Sequence, residues 1–500
     1  MPTKVHHLTL QERQAQGLEA RTHVPPDSHA GWRPAADRPD PVSLIEEQNL
    51  RRDADLVPVR HGRMMASPFT FYRGAAKIMA VDLAATPTSG LQVQLCGDAH
   101  LSNFGVFASP ERNLVFDIND FDETLPGPFE YDVERLAASF MVAAQNNGCS
   151  TPDAQAITKG CVTSYREAMA QFAGMRTLDV WYAHLAEDQI KESVDAFFAA
   201  SGRAKGSGKD GKKGKQKKTG EDEGITGMTQ KQVKEAQKRF QKNALKAHSR
   251  NSDQALSKLS EEVDGRYRIV SAPPVIVPAR ELHVVYGREP ADFEEVVINL
   301  FTGYRASLRP ELRRLLERFE VIDWARKVVG VGSVGTRAFI VLLQGRDRDD
   351  PLFLQVKEAT QSVLEGPLPK SEFAQSGERV VHGQRLMQAS SDIFLGWSEG
   401  VEPGRYYYWR QLRDMKGSAL VEMLKPAELA FYGRTCGWTL ARAHARSGDP
   451  VAISAYLGED DSFDNAITDF SERYATQNDQ DFADFAKAIS SNRIDALQQV

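Results

Sequence analysis

Apolar and polar side chains alternate along residues 91–98, LQVQLCGD, and the period of two puts Leu91, Val93 and Leu95 on one face of a short strand. A second strand, NLVFDIND, follows a turn rich in Gly, Ser and Pro. The period is helical before this unit, in LVPVRHGRMMASPFTFYRGAAKIMAVDLA, and again after it. FEYDVERLAASFMVAAQNN carries Val133, Leu136, Ala137 and Phe140 at helical spacing, and PDAQAITKGCVTSYREAMAQFA continues the helical region. A polar helix is expected over about 228–262. The pattern then shifts to strands and turns in RYRIVSAPPVIVP, WARKVVGVGSVGTRAFIVLLQG and PLFLQVKEA, which marks a lobe boundary near 310. Helix returns in SGERVVHGQRLMQASSD, strand in RYYYWRQL, and a long helix in PAELAFYGRTCGWTLARAHARSG.

These elements predict an α+β protein. Residues 1–45, with HVPPDSHAGWRPAADRPDP, show no sustained period and read as an extended leader. Residues 46–309 form a helical lobe interrupted by a flexible basic insert at 201–224, residues 310–420 a β-rich lobe, and residues 421–500 helices that complete the first lobe. The Gly, Ser and Lys of SGRAKGSGKDGKKGKQKKTG leave the insert no core-forming pattern; it is a solvated loop or a contact for a polyanion. Five hundred residues with 41% apolar side chains can bury more than one core. A formal net charge of -6 argues against a generally basic nucleic-acid binder. Cys96, Cys149, Cys161 and Cys436 lack any C-x-x-C pairing, which suggests neither a disulfide framework nor a thiolate zinc site. With a polar N-terminus and no apolar run of membrane-spanning length, the expected location is the cytoplasm, with no membrane partner.

The candidate chemistry lies in LCGDAHLSNFGVFASPERNLVFDINDFDE. A hairpin-like excursion brings the second strand back beside the first, so that Asp98 and Asn103 meet one or more of Asp117, Asp120 and Asp122. Two carboxylates and an amide are oxygen ligands suited to Mg²⁺, and a remaining Asp can accept a proton. Turn chemistry explains any one of these residues alone, but not the group. The second unit, VVGVGSVGTRAFIVLL, spaces Gly330, Gly332 and Gly335 as G-x-G-x-x-G. A dinucleotide fold needs a helix directly after such glycines. TRAFIVLL is β-branched and apolar instead, so the glycines belong to a hairpin, and the next strand, LFLQVK, ends at Lys357.

CGDAHLSNFG resembles the catalytic loop of the protein kinase-like superfamily, in particular the aminoglycoside and choline kinase type with its H-G-D-x-H-x-x-N motif, and INDFDE resembles that superfamily's metal-binding element. The glycine hairpin followed by a strand-end lysine is the arrangement with which kinases hold ATP. From about residue 45 onward, FYRGAA, LCGDAHLSNFG, DINDFDET, LFLQVKEA, GQRLMQASSDIFLGW and RQLRDMKG also resemble an uncharacterised bacterial family, domain of unknown function 2252. The superfamily resemblance implies Asp98 as catalytic base, Asn103 and Asp120 as Mg²⁺ ligands with Asp122 close by, and Gly330, Gly332, Gly335 and Lys357 on the phosphates of ATP. His100 would face the transferring phosphate or simply pack the loop, and Asp132 would cap the helix after the loop or brace the loop itself. The carboxylate partner of Lys357 would be Glu372 or Glu378, with Glu372 favoured by spacing.

The order of the motifs is reversed relative to an ordinary kinase, with the catalytic loop first and the glycine hairpin more than two hundred residues later. YGRTCGWTLARAHARSG resembles the helix that precedes the catalytic loop in small-molecule kinases. The resemblance therefore implies a two-lobed, circularly permuted kinase-like fold. Only a dozen residues separate Asp120 from Asp132, too few for a long regulatory activation segment, which favours a small-molecule acceptor. The expected function is ATP- and Mg²⁺-dependent phosphotransfer, with nucleotidyl transfer still open; a non-catalytic nucleotide-binding regulator or a metal-dependent phosphohydrolase are the alternatives.

Overall fold

The apolar strands of the second half pair into one antiparallel sheet of six, in the spatial order Gly396–Glu399, Tyr406–Gln411, Pro351–Ala359, Ala338–Gln344, Glu320–Lys327 and Ile276–Pro278. The computed structural model describes residues 7–203, 234–235, 237–239, 242, 246–250, 252–283, 290–328, 330–412 and 415–497. Strand pleating explains why AFIVLLQ and PLFLQVKEA are nearly continuously apolar: both faces of the sheet are covered. Val341, Leu343, Leu352, Leu354 and Val356 meet Leu300 and Tyr304 of the helix Pro290–Ser307 on one face. Ile340, Leu342 and Phe353 meet Ala255 and Leu259 of the helix Ser252–Leu259 on the other. Lys357 follows the pleat onto the Phe353 side, and the strands Glu320–Lys327 and Ala338–Gln344 enclose the glycine segment as a hairpin loop, as the absence of a following helix predicts.

The rest of the molecule is mainly helical. The helix Glu130–Asn146 is buried along most of its length, so it is apolar or paired almost all the way round rather than along one stripe. It packs among the helices Thr151–Ala173, Pro426–Ser447 and Ser462–Ser490. The alternation of LQVQL holds: Val93 and Leu95 are buried and Gln92 is exposed in the strand Gln92–Leu95, which pairs with Leu125–Pro128. The second hairpin pairs Phe104–Ala108 with Leu114–Ile118. The architecture is mixed α+β with several antiparallel sheets.

Three expectations change. The leader is not extended: it contains the helix Leu10–His23, opened by a Thr9–Glu12 capping box, and the helix Pro41–Asn49, opened by the Asp40 side chain. Tertiary contacts that local periodicity cannot report hold it there. Arg21 donates to the Tyr456 and Leu457 carbonyls at 2.8 and 2.6 Å, the orphan acceptors at the end of the helix Pro450–Leu457, and Arg38 bridges Asp82 at 2.6 Å and Asp481 at 2.7 Å. The helix expected to run to 262 ends at Leu259, because Ser260–Val263 pairs with Arg266–Ile269. The six-stranded sheet takes its edge strand, Ile276–Pro278, from before the expected boundary near 310. From residue 204 onward, the insert expected at 201–224 lies outside the described residues.

Candidate functional site

The strand Gln92–Leu95 ends in a turn that only glycine can make. Gly97 has φ 84°, and a Cβ there would sit 2.2 Å from the Glu123 carbonyl oxygen. The turn is fixed by Asp132, whose carboxylate accepts the Cys96 and Gly97 amides at 2.7 and 3.0 Å and contacts His444 at 3.2 Å. Of the two roles open for Asp132, its side chain performs the bracing. The fixed turn directs Asp98 into a cleft, where its Oδ1 accepts from Arg135 Nε at 2.9 Å. Arg135 is locked in turn by donation to the Tyr72 carbonyl at 2.9 Å and by the Tyr72 ring, 4.0 Å from its guanidinium carbon.

Asn103 donates its side-chain amide to the Asp98 carbonyl at 2.8 Å, which leaves the amide oxygen for another partner. The pairing of Gly105 with Asp117 and donation from the Asn119 amide to the Asn103 carbonyl at 2.7 Å return the chain to the same place. The three nearby aspartates then part company. Asp117 is fully buried in an ion pair with Arg442 and accepts the Ala389 amide at 2.8 Å, a structural role. Asp120 and Asp122 turn toward Lys357, whose Nζ lies 3.4 Å from Asp120 Oδ1 and 2.5 Å from Asp122 Oδ2; the Tyr408 hydroxyl donates to Asp122 Oδ1 at 2.6 Å.

Electrostatics follow from this crowding. Burial would raise the Asp120 carboxyl, but Lys357, Arg410 and Lys416 hold it well below the usual carboxylate range. Burial and the Asp120 charge push Asp122 up. Burial opposes the Lys357 charge, yet the two aspartates hold that ammonium well above the ordinary lysine range. Burial lowers His100 to about 4, with Arg73 and Arg135 adding to it against Asp98, so its imidazole is neutral near pH 7; its Nε2 lies 3.7 Å from Asp98 Oδ2. Burial and the charge of Arg410 also depress Lys416, to about 7, and burial raises Glu123 to about 7.

Two clefts flank this cluster. One of about 380 Å³ is bordered by Gly330, Ser333, Lys357, Asp120, Arg410 and Lys416. The other, about 460 Å³, is bordered by Gly332, Ser333, Asp98, Asn103, Asp120 and Asp122. The glycine loop stands between them, with Asp53 donating its amide to the Gly335 carbonyl at 2.8 Å and Arg63 donating to the Gly330 carbonyl at 2.7 Å.

The structure therefore brings together Asp98, His100, Asn103, Asp120, Asp122, Lys357 and the glycine loop. It does not bring Glu372 or Glu378 to Lys357. Glu372 is exposed in the turn before the helix Ser376–Met387, and Glu378 is 3.8 Å from His382 on that helix's outer side. The helix turns Arg379 inward instead, donating to the Asp122 and Thr360 carbonyls at 2.9 and 2.8 Å, and the two aspartates take the lysine. Sequence reasoning also missed Arg135, Tyr408, Arg410 and Lys416. Arg135 carried a usable signal, three residues after Asp132 and on the same helical face.

As for a metal, no group of three or more His, Cys, Asp or Glu forms a cage among the described residues. Two adjacent carboxylates and a spare amide oxygen suit Mg²⁺, which binds few protein ligands and completes its shell with water and substrate phosphate.

A family model described as an uncharacterized protein conserved in bacteria, domain of unknown function 2252, matches residues 52–209 and 207–488. No curated protein and no solved structure matches the chain.

Proposed function

The chain belongs to this conserved bacterial family, and from its site we propose that it is an ATP- and Mg²⁺-dependent phosphotransferase of circularly permuted kinase-like architecture, acting on the hydroxyl of a small molecule. The observation that carries this reading is the meeting of Lys357 with Asp120 and Asp122 from a hairpin more than two hundred positions earlier, with the glycine loop alongside and Asp98 within the neighbouring cleft. A phosphate-gripping cation, oxygen ligands for a metal and a carboxylate base are the parts that phosphoryl transfer asks of a protein. A module that only bound nucleotide would have no use for the base.

The permuted order is supported by the helix Pro426–Ser447. Its end meets the strand that leads into the Asp98 turn, where Ser447 Oγ accepts the Gln94 amide at 3.0 Å. A chain joined at that contact would run glycine hairpin, Lys357 strand, helix Ser376–Met387, strand Tyr406–Gln411, helix Pro426–Ser447 and Asp98 turn, which is ordinary kinase order.

In the proposed reaction Asp98 Oδ takes the acceptor hydroxyl proton as the acceptor oxygen bonds to the γ-phosphorus. The bond from that phosphorus to the bridging oxygen breaks, and its electron pair leaves with ADP. Arg135 keeps Asp98 aimed. Lys357 and the glycine-loop amides hold the phosphates, and neutral His100 packs beneath Asp98. Asn103, Asp120 and Asp122 would hold Mg²⁺, which neutralises phosphate charge when bound.

Thermal unfolding with and without Mg²⁺ and AMP-PNP tests this. At a hundred times its dissociation constant a ligand adds roughly 2.7 kcal/mol of stability. A Tm unmoved by any nucleotide, in folded protein, removes the proposal.

A further inference from the structure

The cleft that Asp98 faces has a second wall, built from residues 47–77, that the reaction above leaves unused. Its polar groups include Arg52, Arg60, Arg73 and Lys77. Lys77 is neutralised by Glu47 at 2.6 Å. The three arginines are not. Arg60 is fully buried and donates only to neutral oxygens, those of Asn49, Gln48 and Gly74. Arg52 donates to the Val334 carbonyl of the glycine loop. Among the described residues, no carboxylate is paired with any of the three, and the buried Nε of each lacks a hydrogen-bond partner. Burial, and for Arg60 the neighbouring Arg52, lowers all three guanidiniums, and the more distant carboxylates that act on Arg52 and Arg73 do not offset it.

Apart from Glu123, which accepts the Val363 amide at 2.7 Å and acts on Arg52 without pairing with it, the acids deep in the same cleft are engaged elsewhere. Asp98 pairs with Arg135, Asp120 and Asp122 with Lys357, and Glu358 with Arg405 at 2.6 Å. Positive charge on this wall is therefore answered only at a distance, by Glu123, Glu358 and Asp122 for Arg52 and by Glu422 and Asp98 for Arg73, and not by a direct ion pair. It also lies close to the reacting centre: a Cβ on Gly332 would come 3.2 Å from the Arg73 carbonyl, and Asp98 is among the carboxylates that act on the Arg73 charge.

We propose that the acceptor is an anionic small molecule, a hydroxyl compound bearing a phosphate or carboxylate group, whose oxyanion seats on Arg52, Arg60 and Arg73 while its hydroxyl faces Asp98. Guanidinium forks match oxyanions bidentately, and a cleft of about 460 Å³ has the size of a small-molecule site. The proposal rests on the phosphotransfer reading. It narrows the acceptor class and excludes neutral sugars and amino alcohols as preferred substrates.

The test is thermal unfolding of the full chain with inorganic phosphate, with malonate as the carboxylate arm, and with potassium chloride at matched ionic strength. Each is run with and without saturating Mg²⁺ and AMP-PNP, for wild type, Arg73→Gln and Arg73→Lys. The expected result is a phosphate or malonate shift that adds to the AMP-PNP shift, weakens at least tenfold in apparent affinity in Arg73→Gln, and partly returns in Arg73→Lys, with the AMP-PNP shift intact in all three. The larger of the two anion shifts identifies the acceptor's charged group. Three results overturn the proposal: no shift beyond chloride, a shift abolished by AMP-PNP, or a shift indifferent to Arg73. An anion shift without any nucleotide shift overturns the phosphotransfer reading instead, and with it the acceptor role, while leaving an oxyanion site on the arginines.

Discussion

Lys357 Nζ lies 2.5 Å from Asp122 Oδ2, so the cation proposed for nucleotide phosphate is clasped by the carboxylates proposed for the metal. The ammonium side chain is almost completely buried, whereas both aspartates keep part of their surface in solvent. Nucleotide and metal arriving together would exchange this pair for two better-matched ones, phosphate on the lysine and Mg²⁺ on the carboxylates. The two aspartates satisfy Lys357 without a Glu from the helix Ser376–Met387.

Lys357→Met leaves Asp120 and Asp122 side by side without their cation. Stability should fall by on the order of 1–3 kcal/mol, less than for a wholly buried pair because both carboxylates are partly solvated. Mg²⁺ alone should stabilise the variant more than the wild type, and AMP-PNP affinity should drop at least tenfold. Equal Mg²⁺ effects in the two proteins, measured by Tm across a Mg²⁺ titration, would contradict the shared role of these aspartates.

Asp98→Asn keeps an oxygen for Arg135, which Tyr72 also holds in place, so the cleft should retain its shape. Nucleotide binding should be unchanged, while transfer falls by roughly 10²–10⁴-fold with the loss of the base. The check is turnover against calorimetric AMP-PNP affinity in the same preparation. Turnover within a factor of three of wild type would remove Asp98 from the chemistry.

Glu123 links stability to pH. Burial raises its carboxyl to about 7, although the Val363 amide donates to it at 2.7 Å. Between an unfolded value near 4.3 and about 7 the folded state binds the extra proton, so its contribution to stability is full below that window and is lost as pH rises through it. Glu123→Gln should therefore be closest to wild type in Tm at pH 5 and gain on it by pH 8, by on the order of 1–2 kcal/mol given the partial exposure of the carboxylate. A Tm difference that does not vary with pH would show that Glu123 ionises normally.

Lys416 has the opposite sense. Burial and Arg410 depress it to about 7, so at pH 8 it is largely neutral without nucleotide, beside the cleft where Lys357 and the glycine loop meet. Nucleotide phosphates there would draw its proton back. AMP-PNP binding at pH 8 should take up a proton, read as a calorimetric enthalpy that changes between buffers of different ionisation enthalpy, and Lys416→Met should abolish that difference. Without nucleotide the depressed value makes this group's contribution rise with pH from about 7 toward its unfolded value. Buffer-independent binding heats would refute the protonation change.

The parts of the site legible in the sequence were those in which local spacing and chemistry coincide. Gly97, Asp98 and Asn103 sit within one turn, and the β-branched TRAFIVLL excluded a helix after the glycines. What was illegible depends on which distant element supplies a charge. Spacing favoured Glu372 for Lys357, but spacing along the chain does not say which side of a helix faces a lysine from another strand, and Arg379 occupies the inner side. The leader carries local caps at Thr9 and Asp40, but no sustained apolar period accompanies them, and what docks it, Arg21 and Arg38 reaching residues beyond 450, leaves no local periodicity. Arg52, Arg60 and Arg73 escaped notice because they lie on three separate elements and converge only in space.

The contact between Gln94 and Ser447 joins positions 353 residues apart. At the usual pace of synthesis, 5–20 residues per second, on the order of 20–70 s pass between the emergence of the Asp98 turn and that of the helix that supports it. During that interval the buried strand carrying Val93 and Leu95 has no completed core to join, and Asp98 has neither Lys357 nor the glycine loop. A nascent chain of this layout therefore cannot close the Asp98 cleft until its late helices exist, and its early apolar segments stay uncovered for longer than those of a protein whose neighbours in space are neighbours in time.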